Sequence, residues 1–87
     1  MARLQAISVR DSAVGLFSRP FFVPNLPAGV RSFIDEVNRR ADDNLMWRHP
    51  EDFELFHLGE FDEDSGKFFN LDSPYSLSRA KDVRTAE

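Results

Sequence analysis

The sequence predicts a small α+β domain in which one amphipathic helix packs on a mainly antiparallel sheet of three to four strands, with a C-terminal β-hairpin. Three observations indicate this class. The chain has 87 residues, enough for one domain; one segment has apolar residues at helical spacing; and several short alternating segments are separated by turn residues. The domain is expected to span residues 1–75, and residues 76–87 are expected to form a polar, mobile tail.

The first quarter of the chain predicts two extended segments. Arg3–Val9 alternates and contains β-branched residues, which is typical of a strand. Residues 10–19 are small and polar and are expected to form a loop. In Pro20–Pro24, two phenylalanines and a valine lie between prolines. Because proline cannot donate to a strand ladder, this segment predicts a short edge strand or an extended segment, in either case with its two phenylalanines on opposite sides.

The clearest periodic signal is that of a helix after residue 24. Asn25 is expected to cap it, and Pro27 suits its first turn. Gly29 is a weak point, since glycine costs about 1 kcal/mol relative to alanine within a helix. The positions i, i+3, i+4 and i+7 predict the apolar stripe that faces the sheet: Val30, Phe33, Ile34 and Val37.

The second half predicts a loop, a strand and a returning strand. Residues 41–48 are expected to form a loop that ends in an apolar patch, and Pro50 to open a short turn. Asp62–Lys67 is acidic and polar, and Gly66 in it can supply the positive φ of a hairpin turn. Phe68–Leu71 is then expected to return beside the preceding strand.

The strand predicted at Phe53–Phe61 has apolar residues on both faces. Strict alternation puts Leu55 and Phe61 on one side and Phe56 and Leu58 on the other. A strand of this kind is expected to be covered on both sides, by the helix on one and by a second subunit on the other. Phe56 and Leu58 are therefore the candidate self-association residues, and a homodimer is expected.

Composition bounds the possible functions. The chain has no cysteine, which excludes a disulfide framework, a thiolate zinc site and a cysteine nucleophile, and fits a reducing cytoplasm. It has no apolar run long enough for a secretory signal or a membrane span, so a soluble protein that does not engage membranes is expected. Nine Phe, one Trp and one Tyr make it 13% aromatic, which helps a small core hold the fold.

The net charge of −4 is unevenly distributed. Residues 1–40 carry +3, residues 41–72 carry −8 and residues 73–87 carry +1. An acidic chain is a poor non-specific nucleic-acid binder, because phosphate neutralisation needs clustered cations. A local arginine surface can still bind, since binding depends on the potential at the contact.

Residues that could hold a metal have simpler interpretations. Asp62, Asp64 and Gly66 have a superficial likeness to a calcium loop, but the glycine comes one place early, and an acidic turn is expected instead. His49 and His57 have no third ligand at a suitable spacing, so hydrogen-bonded or surface histidines are expected. No metal site and no cofactor are therefore predicted.

No catalytic motif is present in the sequence. The serines lack a Gly-x-Ser-x-Gly elbow, and there is no phosphate-binding glycine loop. The expectation is that the protein is not an enzyme.

Six segments in this order resemble landmarks in the small nonstructural protein of gokushoviruses, which are tailless phages with circular single-stranded DNA. The segments are Arg10–Ser12, Phe21–Pro24, Arg31–Asn38, His49–Phe53, Leu55–Asp62 and Gly66–Phe68. The resemblance implies an early or regulatory protein of the host cytoplasm, absent from the mature virion and described as DNA-binding. It also implies likeness to the small microvirus protein that switches replication to packaged single-stranded synthesis. It brings no catalytic residues.

Two functional hypotheses follow. In the first, the protein binds single-stranded DNA and modulates genome replication or packaging. The candidate contacts are cations and aromatics: Arg10, Arg19, Phe22, Arg31, Arg39, Arg40, Trp47 and Arg48. The bland interpretation is a solvated helix face paired with Asp35 and Glu36, with Trp47 as a lid on the core. In the second hypothesis, the acidic residues 41–72 and exposed aromatics engage a host or phage replication protein without DNA.

Overall fold

The computed structural model describes residues 2–85. Five strands form one sheet: β1 (Arg3–Asp11), β2 (Leu16–Phe17), β3 (Phe21–Val23), β4 (Phe53–Asp62) and β5 (Lys67–Arg79). The helices are α1 (Leu26–Val37), α2 (Leu45–Arg48) and α3 (Ala80–Val83), and Pro50–Asp52 forms a single 3-10 turn. The predicted α+β class is confirmed.

The sheet is antiparallel at every pairing of the described strands. Its order is β2-β1-β4-β5, and β3 also pairs with β1. Because β2 pairs with β1 near Asp11 and β3 pairs with it near Ala6, these two short strands follow one after the other along the same edge. The edge strand predicted between the two prolines is confirmed as β3, and the segment predicted as a loop contributes β2.

Helix α1 begins as the sequence predicts. The Asn25 side chain caps it by accepting a hydrogen bond from the Ala28 backbone N–H at 2.9 Å. Phe33 and Val37 are buried in the core, whereas Ile34 lines a shallow groove on the outer side of the helix. Four positions were expected to face the sheet, but only part of that stripe does so.

Gly29 is required by packing, although the sequence suggests only a weak point. It is buried, and a Cβ added there would lie 2.7 Å from Cδ1 of Ile7 and 3.2 Å from Cγ2 of Val23. The helix therefore approaches β1 and β3 more closely than any side chain at this position permits.

The core lies between α1 and one face of the sheet. Its buried members come from strands and helices alike: Ile7, Val23, Phe33, Val37, Leu55 and Ala80. Because so few side chains are fully enclosed, each is expected to matter for stability.

The domain boundary predicted at residue 75 is corrected by the structure. Strand β5 continues to Arg79, and Ala80 of α3 is fully buried in the core. Asn38 ties this segment down: its Nδ2 donates to the Val83 carbonyl at 3.0 Å, and its Oδ1 accepts from the Thr85 backbone N–H at 2.8 Å. These polar residues belong to the fold because backbone hydrogen bonds hold them in place. Amino-acid composition gives no information about such bonds. Residues 86–87 of the predicted tail lie outside the described residues.

A β-bulge at Leu58 interrupts the alternation of β4. Ile7 pairs with His57, but the preceding residue of β1, Ala6, pairs with Gly59, so Leu58 is an extra residue without a partner on β1. Neighbouring residues of a strand point to opposite faces, and cross-strand partners share a face. His57 and Gly59 therefore face opposite sides although they are two residues apart.

The bulge corrects the predicted faces of β4. Up to His57 the alternation holds, and Leu55 faces the core. Beyond the bulge the faces exchange, so Phe61 lies on the same side as Phe56, and Glu60 lies on the side of α1. A bulge depends on the register in which two strands pair. The sequence of β4 alone does not reveal its register with β1, so the bulge could not be predicted from it.

Gly59 also holds a second irregularity, between β4 and β5. Gly59 pairs with Asn70 and His57 with Tyr75, so residues 71–74 bulge out of β5 opposite a single residue. Gly59 has φ of +156°, and a Cβ there would lie 2.5 Å from the carbonyl oxygen of Phe69. Only glycine permits this close approach of the two strands.

Candidate nucleic-acid interface

In the described part of the chain, the sheet face opposite α1 carries five phenylalanine side chains, three of which are exposed. Ile7 contacts the helix, so its neighbours in β1 point away from it, and their cross-strand partners point the same way. Within residues 2–85, we call this side the helix-free face. Its members include Leu4, Ala6, Ser8, Arg10, Phe17, Phe22, Phe56, Phe61 and Phe68.

Three phenylalanines from three strands meet on the helix-free face and form what we call the three-ring cluster. The ring centroids of Phe22 and Phe61 are 5.7 Å apart, and those of Phe61 and Phe68 are 4.9 Å apart. The rings are tilted by 50° and 47° in these two pairs. Phe22 is 43% exposed and Phe68 is 60% exposed. The cluster therefore presents open aromatic surface to solvent.

A second aromatic group, the two-ring cluster, lies farther along the same face. Phe17 and Phe56 pack edge to face with their centroids 5.3 Å apart, and the Arg10 guanidinium lies 5.8 Å from the centre of the Phe17 ring. Phe17 pairs with Arg10, and Phe22 pairs with Ala6, four residues away in β1. At roughly 3.3 Å per residue, the two clusters are about 13 Å apart.

Charge is divided between the two faces of the sheet. Arg10, Glu54 and Arg79 lie side by side on the helix-free face, and the Glu54 carboxylate accepts a hydrogen bond from the Ser76 hydroxyl. Glu60 lies on the other face. The helix-free face therefore carries two guanidinium groups against one carboxylate in this row, although the chain is acidic overall.

Glu60 belongs to a polar network on the side of α1. Its carboxylate forms an ion pair with Arg3 at 2.5 Å and accepts a hydrogen bond from Gln5 at 3.2 Å. Two hydrogen bonds lower the pKa of Glu60 below its ordinary value, and the one from Arg3 has a larger effect than the one from Gln5. Arg3 also covers the ring of Phe69, whose centroid lies 4.1 Å from the guanidinium carbon. Among the exposed aromatic rings on this side, that of Phe69 is therefore already stacked by a cation of the same chain.

Two of the eight predicted contact residues, Arg10 and Phe22, lie on the helix-free face. Arg19 is exposed in the segment that leads into β3. Arg31 is exposed on the outer side of α1, away from this face. The predicted set therefore does not form one surface.

The remaining four predicted contacts gather near the C-terminal end of α1. Arg39 donates two hydrogen bonds to Glu36, at 2.9 and 2.7 Å, which lower the pKa of that carboxyl and correspond to the bland interpretation. The Arg40 guanidinium lies 5.5 Å from the Trp47 ring centre. Arg48 donates to the Asp42 carbonyl at 3.3 Å. Glu36, Asp42 and Asp43 lie beside or among these cations in the sequence, so this end offers no uniform positive patch.

Sequence reasoning missed three aromatics and one cation of the helix-free face. Phe17 fell in the predicted loop, and Phe61 was placed on the wrong side because of the bulge. Phe68 could have been found from the hairpin register, since it pairs with Phe61 across the predicted turn. Arg79 lay in the segment predicted as a tail.

The predicted self-association residues lie on the same side as the stacking candidates. Phe56 belongs to the two-ring cluster, and Leu58 lines a cleft beside the three-ring cluster. A homodimer that uses these residues and a nucleic acid that uses Phe22 would therefore compete for one surface. Dimerisation stays a prediction.

His57 is a hydrogen-bonded histidine on the α1 side of the sheet. Its Nε2 lies 2.9 Å from Oε1 of Gln5 and 3.1 Å from the carbonyl oxygen of Gly59, and a proton on Nε2 satisfies both acceptors. Within the described chain, no three side chains of His, Cys, Asp or Glu are grouped so that they could hold a metal ion. No helix among these residues is long and apolar enough to span a membrane.

The fold and this face define a class: a small α+β protein whose sheet is covered by a helix on one side and presents phenylalanines on the other. The family model described as Phage ORF5 protein matches residues 4–83, and the chain belongs to this family. The resemblance to the small gokushovirus protein, drawn from six segments of the sequence, is thereby confirmed.

Protein ORF5 of Chlamydia phage 1 is 39% identical to this chain over 46 residues. The match covers 53% of this chain and 48% of the relative, so the chain spans about half the length of that curated relative. No solved structure matches the chain.

Proposed function

We propose that this phage ORF5 protein is a non-enzymatic nonstructural protein that binds single-stranded DNA on its helix-free face. It would act in the cytoplasm of the infected host, outside the mature virion, and modulate genome replication or packaging. The observation that carries the proposal is the arrangement of five phenylalanines in two clusters on one sheet face, with Arg10 beside one of them.

Unpaired bases suit this surface for a physical reason. Stacking of a base on an aromatic side chain is worth about 1–3 kcal/mol and tolerates any sequence, since every base has a π face. The bases of a duplex are already stacked on each other and cannot lie flat on Phe22 or Phe68. A single strand can place separate bases on clusters about 13 Å apart while its phosphates contact Arg10 and Arg79.

A pair of neighbouring phenylalanines gives the decisive test. Phe68 is 60% exposed on the helix-free face, and Phe69 is 43% exposed on the other face, beneath Arg3. In fluorescence anisotropy with a labelled oligothymidylate, Phe68→Ala is expected to weaken binding about 5- to 150-fold, the loss of one stacking contact. Phe69→Ala is the matched control and is expected to leave affinity unchanged. Circular dichroism confirms that both variants are folded.

Two further measurements complete the experiment: the affinity at different salt concentrations and the affinity for duplex DNA. Affinity for the single strand is expected to fall as salt rises, because Arg10 and Arg79 would displace counterions from phosphates. A duplex of the same length is expected to bind more weakly. Equal losses in the two phenylalanine variants, or no binding at physiological salt, would reject the helix-free face as a DNA surface.

The second candidate is a protein-interaction module that makes no contact with DNA. It is favoured by the exposed acidic turn between β4 and β5, where Glu63 and Asp64 point into solvent. Absence of oligonucleotide binding, together with a partner that is lost when these two carboxylates are neutralised, would favour this function over the first.

A further inference from the structure

A small cleft adjoins the three-ring cluster on the helix-free face. Its volume is about 200 Å³, and residues of β1, β3, β4 and β5 line it. Its lining includes Ala6, Phe22, Leu58, Gly59, Phe68 and Asn70. Phe22 and Phe68 form aromatic walls whose ring centroids are 6.4 Å apart and whose planes are tilted by 40°.

The floor of the cleft depends on two small residues. Ala6 and Gly59 pair with each other across β1 and β4 and leave room above them. A Cβ at Gly59 would lie 2.9 Å from the Cα of Asn70, so the missing side chain brings β5 close. Asn70, the partner of Gly59 on β5, is exposed and lines the same cleft. One amide side chain therefore stands at the rim of an otherwise mostly apolar recess.

The size and lining of the cleft select a class of ligand. Sites for drug-sized ligands have volumes of about 300–1,000 Å³, so this cleft suits one planar ring system. Aromatic walls suit a flat heterocycle, and a primary amide offers a donor and an acceptor side by side. A nucleobase has a π face for the walls and a hydrogen-bonding edge for the amide.

We propose that the cleft receives a single base of the bound strand and that Asn70 reads it, with adenine preferred. This inference rests on the proposed function. The Asn70 carbonyl would accept from the adenine N6 amino group while its amide N–H donates to N7. On this edge adenine alone presents a donor beside an acceptor. The site thus adds sequence preference at one nucleotide to stacking that is otherwise indifferent to sequence.

The first measurement compares four oligothymidylates that differ at one central position. The oligonucleotide with adenine there is expected to bind about 5- to 10-fold more tightly than those with thymine, cytosine or guanine, the lower range of discrimination by one bidentate contact. Asp72→Ala, a change two residues farther along β5, is the control and is expected to preserve the preference.

A substitution at Asn70 separates reading from packing. Asn70→Asp keeps the size and shape of the side chain but leaves only acceptors. Its carboxylate would face the acceptor nitrogen of adenine but could accept from the N4 amino group of cytosine. The adenine preference is therefore expected to disappear and the cytosine oligonucleotide to gain relative to it. A merely structural role of Asn70 would weaken all four oligonucleotides equally.

The outcomes distinguish the two proposals. If all four oligonucleotides bind equally to the natural chain, Asn70 does not read the base, although DNA binding itself stands. If none binds, the proposed function fails. An NMR titration with adenosine monophosphate then shows separately whether the cleft binds a base. A shift of the Asn70 side-chain amide signals in that titration supports the base site, and unchanged signals overturn it.

Discussion

At the scale of single residues, three glycines of this chain have different roles that their number alone does not reveal. Gly15 and Gly66 have φ of +75° and +74°, and a Cβ at either would meet nothing within 4 Å. They serve turns only. Gly59 combines a positive φ with contact against the Phe69 carbonyl, so it sets the distance between β4 and β5.

Gly59→Ala is expected to destabilise the protein by about 2–4 kcal/mol, since it adds backbone strain of the order of 1–3 kcal/mol to a clash with the backbone of β5. Urea unfolding followed by Trp47 fluorescence measures this loss. Gly15→Ala, where only the positive φ is disturbed, is expected to cost about 1 kcal/mol. Similar losses in both variants would show that the close approach of β5 contributes nothing.

At the scale of elements, the sequence predicts correctly those features that depend on interactions between residues close together in the chain. The cap at Asn25, the prolines around β3 and the hairpin glycine Gly66 each act within a few residues, and each lies where the sequence indicates. The bulge at Leu58 and the burial of Ala80 depend on partners that are distant in sequence. The aromatic face was therefore divided wrongly between the two sides, and three of its five phenylalanines were missed.

The contact between α1 and β1 gives a prediction for packing. Gly29→Ala gains helix propensity of about 1 kcal/mol, but its Cβ would meet Cδ1 of the buried Ile7 at 2.7 Å. Overpacking of this kind typically costs about 1–3 kcal/mol, so a net loss of stability is expected. Ile7→Val removes the clashing methyl group.

The double variant provides the check on this contact. Ile7→Val alone is expected to cost about 0.5–1.5 kcal/mol, and in combination with Gly29→Ala the total loss is expected to be smaller than the sum of the single losses. Chemical denaturation of the four proteins in the cycle measures the coupling. Strict additivity would mean that the helix shifts to accommodate the methyl group without help from Ile7.

At the scale of the whole molecule, one face has two prospective occupants. The chain extends 44 Å in its longest dimension and 23 and 20 Å in the others. The predicted homodimer would cover Phe56 and Leu58, and the proposed DNA strand would cover the neighbouring rings. Both cannot occupy the full face at once.

Light scattering tests this exclusion. At about 100 µM protein, where a micromolar dimer is nearly saturated, a dimer is expected without DNA. A saturating amount of short oligonucleotide is expected to convert it to a one-to-one complex with a single protein chain. A dimer that keeps its mass while it binds DNA would place self-association on another surface, and a strict monomer at this concentration would reject the homodimer.

The irregular edges of the sheet have a consequence for the protein at high concentration. A surface so rich in phenylalanine would favour fibril growth if the flanking strands could add further chains through their free backbone groups. Pro20 and Pro24 flank one border, and the outward bulge of residues 71–74, which contains Pro74, breaks the other. Addition of further copies at these two edges is thereby obstructed. The helix-free face can therefore remain exposed to solvent without promoting fibril growth.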